Sequence, residues 1–312
     1  MWEGREHKWQ AGAGAAGRLA LAELRLLRGL PGRFDAVVVG YPGHADLAAA
    51  RRVARGAPIV FNPLVSLEDT LVSDRGRFRA GSPTARLLAA VDRWAFRAAD
   101  LVVADTEANA EHFARLAGLD RTRIAVCFVG AEERLFHAGW DPADPFTCLF
   151  FGKLIPLHGL ETILAAARLA PGIRFRVVGS GQLAPLLQQP PANVEHVPWV
   201  EYERLSEELH RASCALGIFG TSAKATRVIP NKVFQALACG TPVVTADTPA
   251  ARELLRDGES ALLVPPGDPA ALANALRRVT PELGRGGLAA YREHANEEVL
   301  GARWRSLIET LL

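Results

Sequence analysis

The 312-residue sequence predicts an α/β protein of two doubly wound parallel-sheet domains facing a cleft, the first with an incomplete sheet. Two observations carry that prediction. From residue 35 onward, short apolar runs alternate with helix-period stretches, the pattern of parallel strands joined by crossover helices. A Pro/Asp/Gly-rich break, HAGWDPADPF at 137–146, then splits the alternation into four strands before it and six after. The composition, 49% apolar and 22% charged, is that of a globular protein, and the length favours two domains over one. The expected domains are 1–140 and 141–312, with the last helix packing back on the first domain.

In the first half, strands are expected at 35–40, 58–61, 101–104 and 123–129, with helices near 44–55, 83–98 and 107–117. A parallel domain that binds ligand at its strand ends ordinarily opens on a strand and a glycine turn. Residues 1–34 offer neither, so one or more first strands are expected to be missing. Residues 8–30 read instead as a helix with Lys8, Arg18, Arg25 and Arg28 against Glu23. Such a basic amphipathic helix either lies on an anionic membrane surface or packs on its own domain. In the second half, strands are expected at 147–152, 175–179, 194–197, 214–219, 242–246 and 261–264. The helices between and after them fall near 159–169, 203–212, 231–239, 249–256, 268–278 and 285–312.

Net charge is +2, which gives no reason to expect nucleic-acid binding. The 36 basic residues comprise 32 Arg and only 4 Lys, so each retained lysine carries some information. Cys127, Cys148, Cys214 and Cys239 lie in or beside apolar runs without metal spacing and read as buried thiols of a reducing compartment. No apolar run reaches membrane-spanning length and no secretory leader pattern is present. The expectation is a cytoplasmic protein, soluble or peripheral at the inner membrane face.

The segment IPNKVFQALACGTPVV (229–244) holds the strongest local signal. Pro230 starts a helix sharply, Asn231 suits an N-cap and Gly240 a C-cap. First-turn amides, helix dipole and Lys232 would together favour an anion in the cleft, with Gln235 on nearly the same helix face. An ordinary capped surface helix with a solvated lysine is the alternative. FFGKLIPLHG (150–159) places Lys153 beyond a strand end, where α/β sheets bind ligands, and His158 before a helix. VVGSGQL (177–183) has a Gly-x-Gly turn that lets backbone approach closely, but lacks the third glycine and the acidic residue of a dinucleotide site. In the first half His44, Asp69 and Asp74 follow strands; each would line the cleft or serve as a solvated loop polar or helix cap. There is no Asp-x-Asp, HExxH, P-loop or GxSxG. No metal or cofactor is expected.

At these residues the chain resembles the retaining glycosyltransferases of family 4, which have the GT-B fold of two Rossmann-like domains. The resemblance runs through FFGKLIPLHGLETILAAARL, FRVVGSGQL, VEHVPWVEYERL, IPNKVFQALACGTPVVTAD and ARELLRDGESALLVPPGDPAALANAL, and less sharply through 35–136. It implies transfer of a sugar, with retention and without metal, from a UDP- or GDP-type donor to a glycan, lipid-linked or small-molecule acceptor. The N-terminal domain would face the acceptor and the C-terminal one the nucleotide sugar. Lys153 then falls at the diphosphate-binding position after Gly152, Lys232 at a second such position, and His158 where the family commonly has a cation. Gly179 and Gly181 would line the donor site with Ile229, Pro230 and Asn231, and Trp199 would stand near the base. The family's two glutamates are replaced, the earlier by Arg227 and the later by Gln235; an amide can still bond ribose hydroxyls, whereas Arg cannot act as an acceptor. The N-domain histidine expected after 58–61 is absent, with His44 a substitute on another loop and Asp69 and Asp74 the other acceptor-side candidates. These departures also suit a non-catalytic nucleotide-sugar-binding partner or a decayed enzyme, and less readily a sugar-nucleotide epimerase.

Overall fold

A computed structural model describes residues 33–312 of the chain. The basic segment at 8–30 and most of the region read as lacking a first strand lie outside these residues. The first sheet contains β1 (Val37–Val39), β2 (Ile59–Phe61), β3 (Leu101–Ala104) and β4 (Ile124–Val126), all parallel and in the order β1-β2-β3-β4. Helices α1 (Asp46–Ala54), α2 (Pro83–Ala98) and α3 (Glu107–Ala117) are its crossovers. Two of them start where a hydroxyl accepts a first-turn amide, Ser82 from Ala85 and Thr106 from Asn109. Val39, Leu47, Phe61, Phe96, Val102 and Phe113 form the core on one face.

The second sheet contains β5 (Thr147–Phe151), β6 (Arg174–Val178), β7 (Val194–Val197), β8 (Cys214–Leu216), β9 (Val243–Ala246) and β10 (Leu262–Val264). All its pairings are parallel and the order is β10-β9-β8-β5-β6-β7. The chain moves outward from β5 to β7, then crosses to β8 and runs the other way. The crevice between the carboxyl ends of β5 and β8 is therefore the switch point, where doubly wound sheets bind ligands. Helices α4 (Leu160–Leu169), α5 (Leu205–Arg211), α6 (Asn231–Cys239), α7 (Pro249–Arg252) and α8 (Pro269–Leu276) cover the two faces.

The helix expected at 285–312 is two helices, α9 (Pro281–His294) and α10 (Glu297–Glu309). Asn296 breaks it because its side chain accepts the Val299 amide, a capping bond that restarts the helix. Helix α9 also begins ahead of the expected residue 285, and Gly284 in its first turn is a packing residue: a Cβ there would lie 2.3 Å from the Gly240 carbonyl oxygen, so only glycine lets α9 sit against the end of α6. Helix α10 crosses back to the first sheet, where Leu307, Leu300, Trp304 and Leu311 pack on Val60, Leu101, Val103 and Cys127.

Candidate functional site

Two loops leave the switch point beside each other. After β5 the chain turns at Gly152 and runs to His158; after β6 it turns through Gly179 and Gly181. The turns bond directly, Gly152 N–H to the Val178 carbonyl at 3.0 Å and Leu154 N–H to the Ser180 carbonyl at 2.9 Å. Gly179 has φ +134°, and a Cβ there would lie 2.0 Å from the Gly152 oxygen. What this Gly-x-Gly turn approaches is thus the β5 loop itself. We expect neither turn to survive a side chain at 179.

Helix α6 points its N-terminus into the same corner. Its N-cap is Pro230 rather than Asn231, and no side chain caps it. Lys232 in its first turn is not the solvated lysine of a surface helix. It is 6% exposed, its Nζ lies 3.7 Å from the centre of the Phe150 ring, and that nitrogen makes no hydrogen bond. Burial pushes its amine well below the usual lysine range. A Cβ on Gly152 would stand 3.4 Å from this Nζ and 3.7 Å from His158 Cε1, so the turn, the lysine and the histidine share one spot.

His158 does not supply a second positive charge there. Burial and the neighbouring Lys232 hold its imidazole well below the normal range, hence neutral. Its Nδ1 bonds the Lys153 carbonyl oxygen and its ring stands edge-on to Phe150, so it shapes the loop that carries Lys153. The Lys153 side chain is exposed. Gln235 is 7% exposed and donates from Nε2 to the Tyr202 hydroxyl at 3.3 Å, while Ile229 packs in the core. Trp199 stands 72% exposed.

From the first domain, a single turn of π-helix at Asp69–Asp74 crosses the cleft to meet these loops. Asp69 holds the Arg227 guanidinium, Oδ2 to Nη2 at 2.9 Å, with both side chains largely buried. Lys224 Nζ donates to the Thr70 hydroxyl at 2.7 Å, and Gln182 Nε2 reaches the Arg75 carbonyl oxygen at 3.4 Å. Further along the seam the Thr106 hydroxyl donates to the Arg227 carbonyl oxygen, and the Glu253 carboxylate accepts the Glu107 and Ala108 amides at the start of α3. The position where the resemblance implies a carboxylate therefore carries a guanidinium engaged across the cleft.

The histidine at 44 is not a cleft residue. It is 2% exposed, packs edge-on against Phe61, and has its Nε2 3.1 Å from the fully buried Asp92. Asp92 accepts from the Ser66 hydroxyl and from the Leu67 and Glu68 amides, anchoring the strand-to-π-turn segment. The sequence alone assigned no site role to Asp92, Lys224 or Arg75, although Lys224 was one of the four lysines. The signal for Asp92 was an acid on the apolar face of LLAAVDRWAFRA; that for Lys224 was the rarity of lysine.

Asp105, at the end of β3 and 5% exposed, has its carboxyl raised to about 6 by burial, against an Asn109 bond that pulls it down. The folded state then binds more protons than the unfolded chain between about pH 4 and 6, so this group lowers stability as pH rises through that window. Asp105→Asn is expected to remove up to about 3 kcal/mol of that loss. Urea denaturation at pH 5 and 7.5 tests this; an equal change with pH in both proteins would refute it.

Among the described residues no cluster of three His, Cys, Asp or Glu is placed to hold a metal ion, and no helix is long and apolar enough to cross a membrane. Two protein families match the chain: one described as glycosyl transferases group 1 over residues 145–281, and one described as a glycosyl transferase 4-like domain over 2–130. A D-inositol 3-phosphate glycosyltransferase of Thermomonospora curvata is 30% identical over 69% of this chain, which spans 56% of that enzyme. Sucrose-phosphate synthase of Thermosynechococcus elongatus superposes with a TM-score of 0.72 at 20% identity, covering 89% of this chain and 74% of its own. Anabaena HepE, solved in complex with UDP-glucose, gives 0.71 at 18% identity, with 96% and 84% covered. The shared architecture is GT-B, two parallel-sheet α/β domains facing a cleft.

Proposed function

The chain belongs to the group 1 glycosyl transferases, and from that premise we propose that it moves a sugar from a nucleotide-diphosphate donor to an acceptor, with retention and without a divalent metal. The observation that carries this reading is the buried, unbonded Lys232 amine at the switch point, beside the Gly152 turn and the uncapped start of α6. An isolated buried ammonium is costly unless an anion meets it. Lys224 and Arg75 lie nearby, and Lys153 leaves the same turn, so positive charge exceeds the carboxylates of Asp69 and Asp74. A diphosphate supplies the missing negative charge.

In the reaction the bond between the anomeric carbon and the β-phosphate oxygen breaks, and the acceptor oxygen bonds that carbon on the face the phosphate leaves. The acceptor proton passes to the departing phosphate. Negative charge grows on that phosphate, where Lys232, Lys153 and the first amides of α6 would act as donors to the developing charge. The UDP-glucose bound by HepE favours a UDP-type donor, with GDP the other base, and the acceptor fits a step in polysaccharide or glycolipid assembly. The engagement of Arg227 by Asp69 favours a second reading, a nucleotide-sugar-binding partner without turnover.

A thermal-shift panel of UDP, GDP, ADP and their sugars, followed by release of nucleotide diphosphate from whichever sugar binds, separates the two. We expect UDP or GDP to raise Tm, and Lys153→Ala to cut the transfer rate at least about tenfold. Binding without release on any acceptor leaves the partner reading; no binding at all ends both.

A further inference from the structure

We propose that Asp74, presented by the first domain, binds ring hydroxyls of the sugar being transferred, so that the carboxylate reading the sugar reaches the donor from across the cleft. The inference rests on the nucleotide-sugar reading above.

The π-turn is what delivers this side chain. Arg75 N–H bonds the Thr70 carbonyl at 3.1 Å, an i to i+5 bond that places Asp69 and Asp74 one wide turn apart. Asp69 is occupied by Arg227. Asp74 is 6% exposed, and neither of its carboxylate oxygens makes a hydrogen bond. The Leu157 amide and the charges of Lys224 and Arg75 face it and favour the ionised form, yet burial outweighs them and raises its carboxyl above the usual range. A buried carboxylate without partners is rare in folded proteins.

Its position identifies the missing partner. Leu157 precedes His158, which sits against Lys232, and the carbonyl of the next residue, Arg75, meets Gln182 of the β6 turn. Asp74 therefore overlooks both loops of the phosphate corner. Two acceptor oxygens call for donors, and the ligand part that meets them can be neither cationic, beside Lys224 and Arg75, nor anionic, against the carboxylate itself. Vicinal hydroxyls on a ring adjoining the phosphate meet both conditions. This also accounts for the absence of a carboxylate at Arg227 and Gln235: the C-terminal domain seats the diphosphate, and the first domain reads the sugar.

Asp74→Asn in the full chain tests the inference, because an amide keeps the shape but offers one acceptor instead of two. Calorimetric affinities of UDP, GDP, UDP-glucose, UDP-N-acetylglucosamine and GDP-mannose are compared with wild type, together with Tm. The expected result is a loss of at least about tenfold for the sugar nucleotide that wild type binds, with its bare diphosphate within about twofold and Tm no lower. Equal losses for both ligands, no loss for the sugar nucleotide, or a loss seen only in the acceptor's KM would overturn it. So would a variant that is less stable or fails to fold, since the carboxylate would then be structural. Wild type that binds none of the panel overturns the donor reading itself; wild type that binds the bare diphosphate keeps that reading and leaves Asp74→Asn to decide this one.

Discussion

Lys232→Met is expected to stabilise the free protein while removing most of its affinity for a nucleoside diphosphate. The amine is buried over the Phe150 ring without a hydrogen bond, so the cation–π contact meets its charge but does not offset the desolvation. Methionine fills similar space and restores apolar contact, for an expected gain of at least about 1 kcal/mol. The sign with pH follows from burial. The folded amine releases its proton more readily than the unfolded one, so the cost is greatest at low pH and fades as pH rises through the folded value toward that of free lysine. The advantage of methionine should shrink in the same direction. With ligand the signs reverse: a diphosphate restores the amine's affinity for a proton, so binding takes up protons above the free-state value. Wild-type binding enthalpy should then depend on the buffer at about pH 8.5, and that of the variant should not. Removing a preorganised donor from developing charge costs about a hundredfold or more in transfer rate. A variant that is less stable than wild type, or that binds UDP and GDP as tightly, would remove Lys232 from the site.

The β-α alternation made the fold class readable, and helices such as Pro83–Ala98 and Glu107–Ala117 fell where expected because their caps are local: Ser82 and Thr106 bond amides three residues on. The split between α9 and α10 was hidden because Asn296 sits inside a continuous helix-period run and shows as a cap only once its side chain is seen to accept the Val299 amide. The loops of the candidate site were legible one at a time, since each follows its own strand. Their joining was not. Asp69 and Arg227 are 158 residues apart, and Gln182 and Arg75 are 107 apart; no spacing rule connects such pairs. The exposure of Lys232 could not be read either, because an amphipathic helix start gives the same pattern whether its lysine faces water or a dry corner. His44 was misplaced for a related reason: it follows a strand as a cleft residue would, but Asp92 and Phe61 hold it inside the core.

Asp92→Asn is expected to cost about 3–5 kcal/mol of stability, the range for removing one charged partner from a buried network. The wild-type carboxylate is fully buried. Its Oδ2 accepts from the Ser66 hydroxyl at 2.7 Å and the Glu68 amide at 2.9 Å, and its Oδ1 accepts the Leu67 amide at 2.8 Å. Asparagine keeps one oxygen and turns an NH2 toward the remaining donors, so at least one buried bond becomes a donor facing a donor. By contrast, exposed pairs such as Arg204–Glu207 at 3.6 Å should change stability by less than about 1 kcal/mol when broken. The effect should not stop at stability. Asp92 holds residues 66–68, and the π-turn with Asp69 and Asp74 begins directly after them. At a temperature where the variant is still folded, sugar-nucleotide affinity should therefore fall more than that of the bare diphosphate, whose proposed seat is on the other domain. Urea denaturation and the two affinities measured together decide this. A stability loss under about 1 kcal/mol, or an equal loss of both affinities, would show that the segment is held by something other than Asp92.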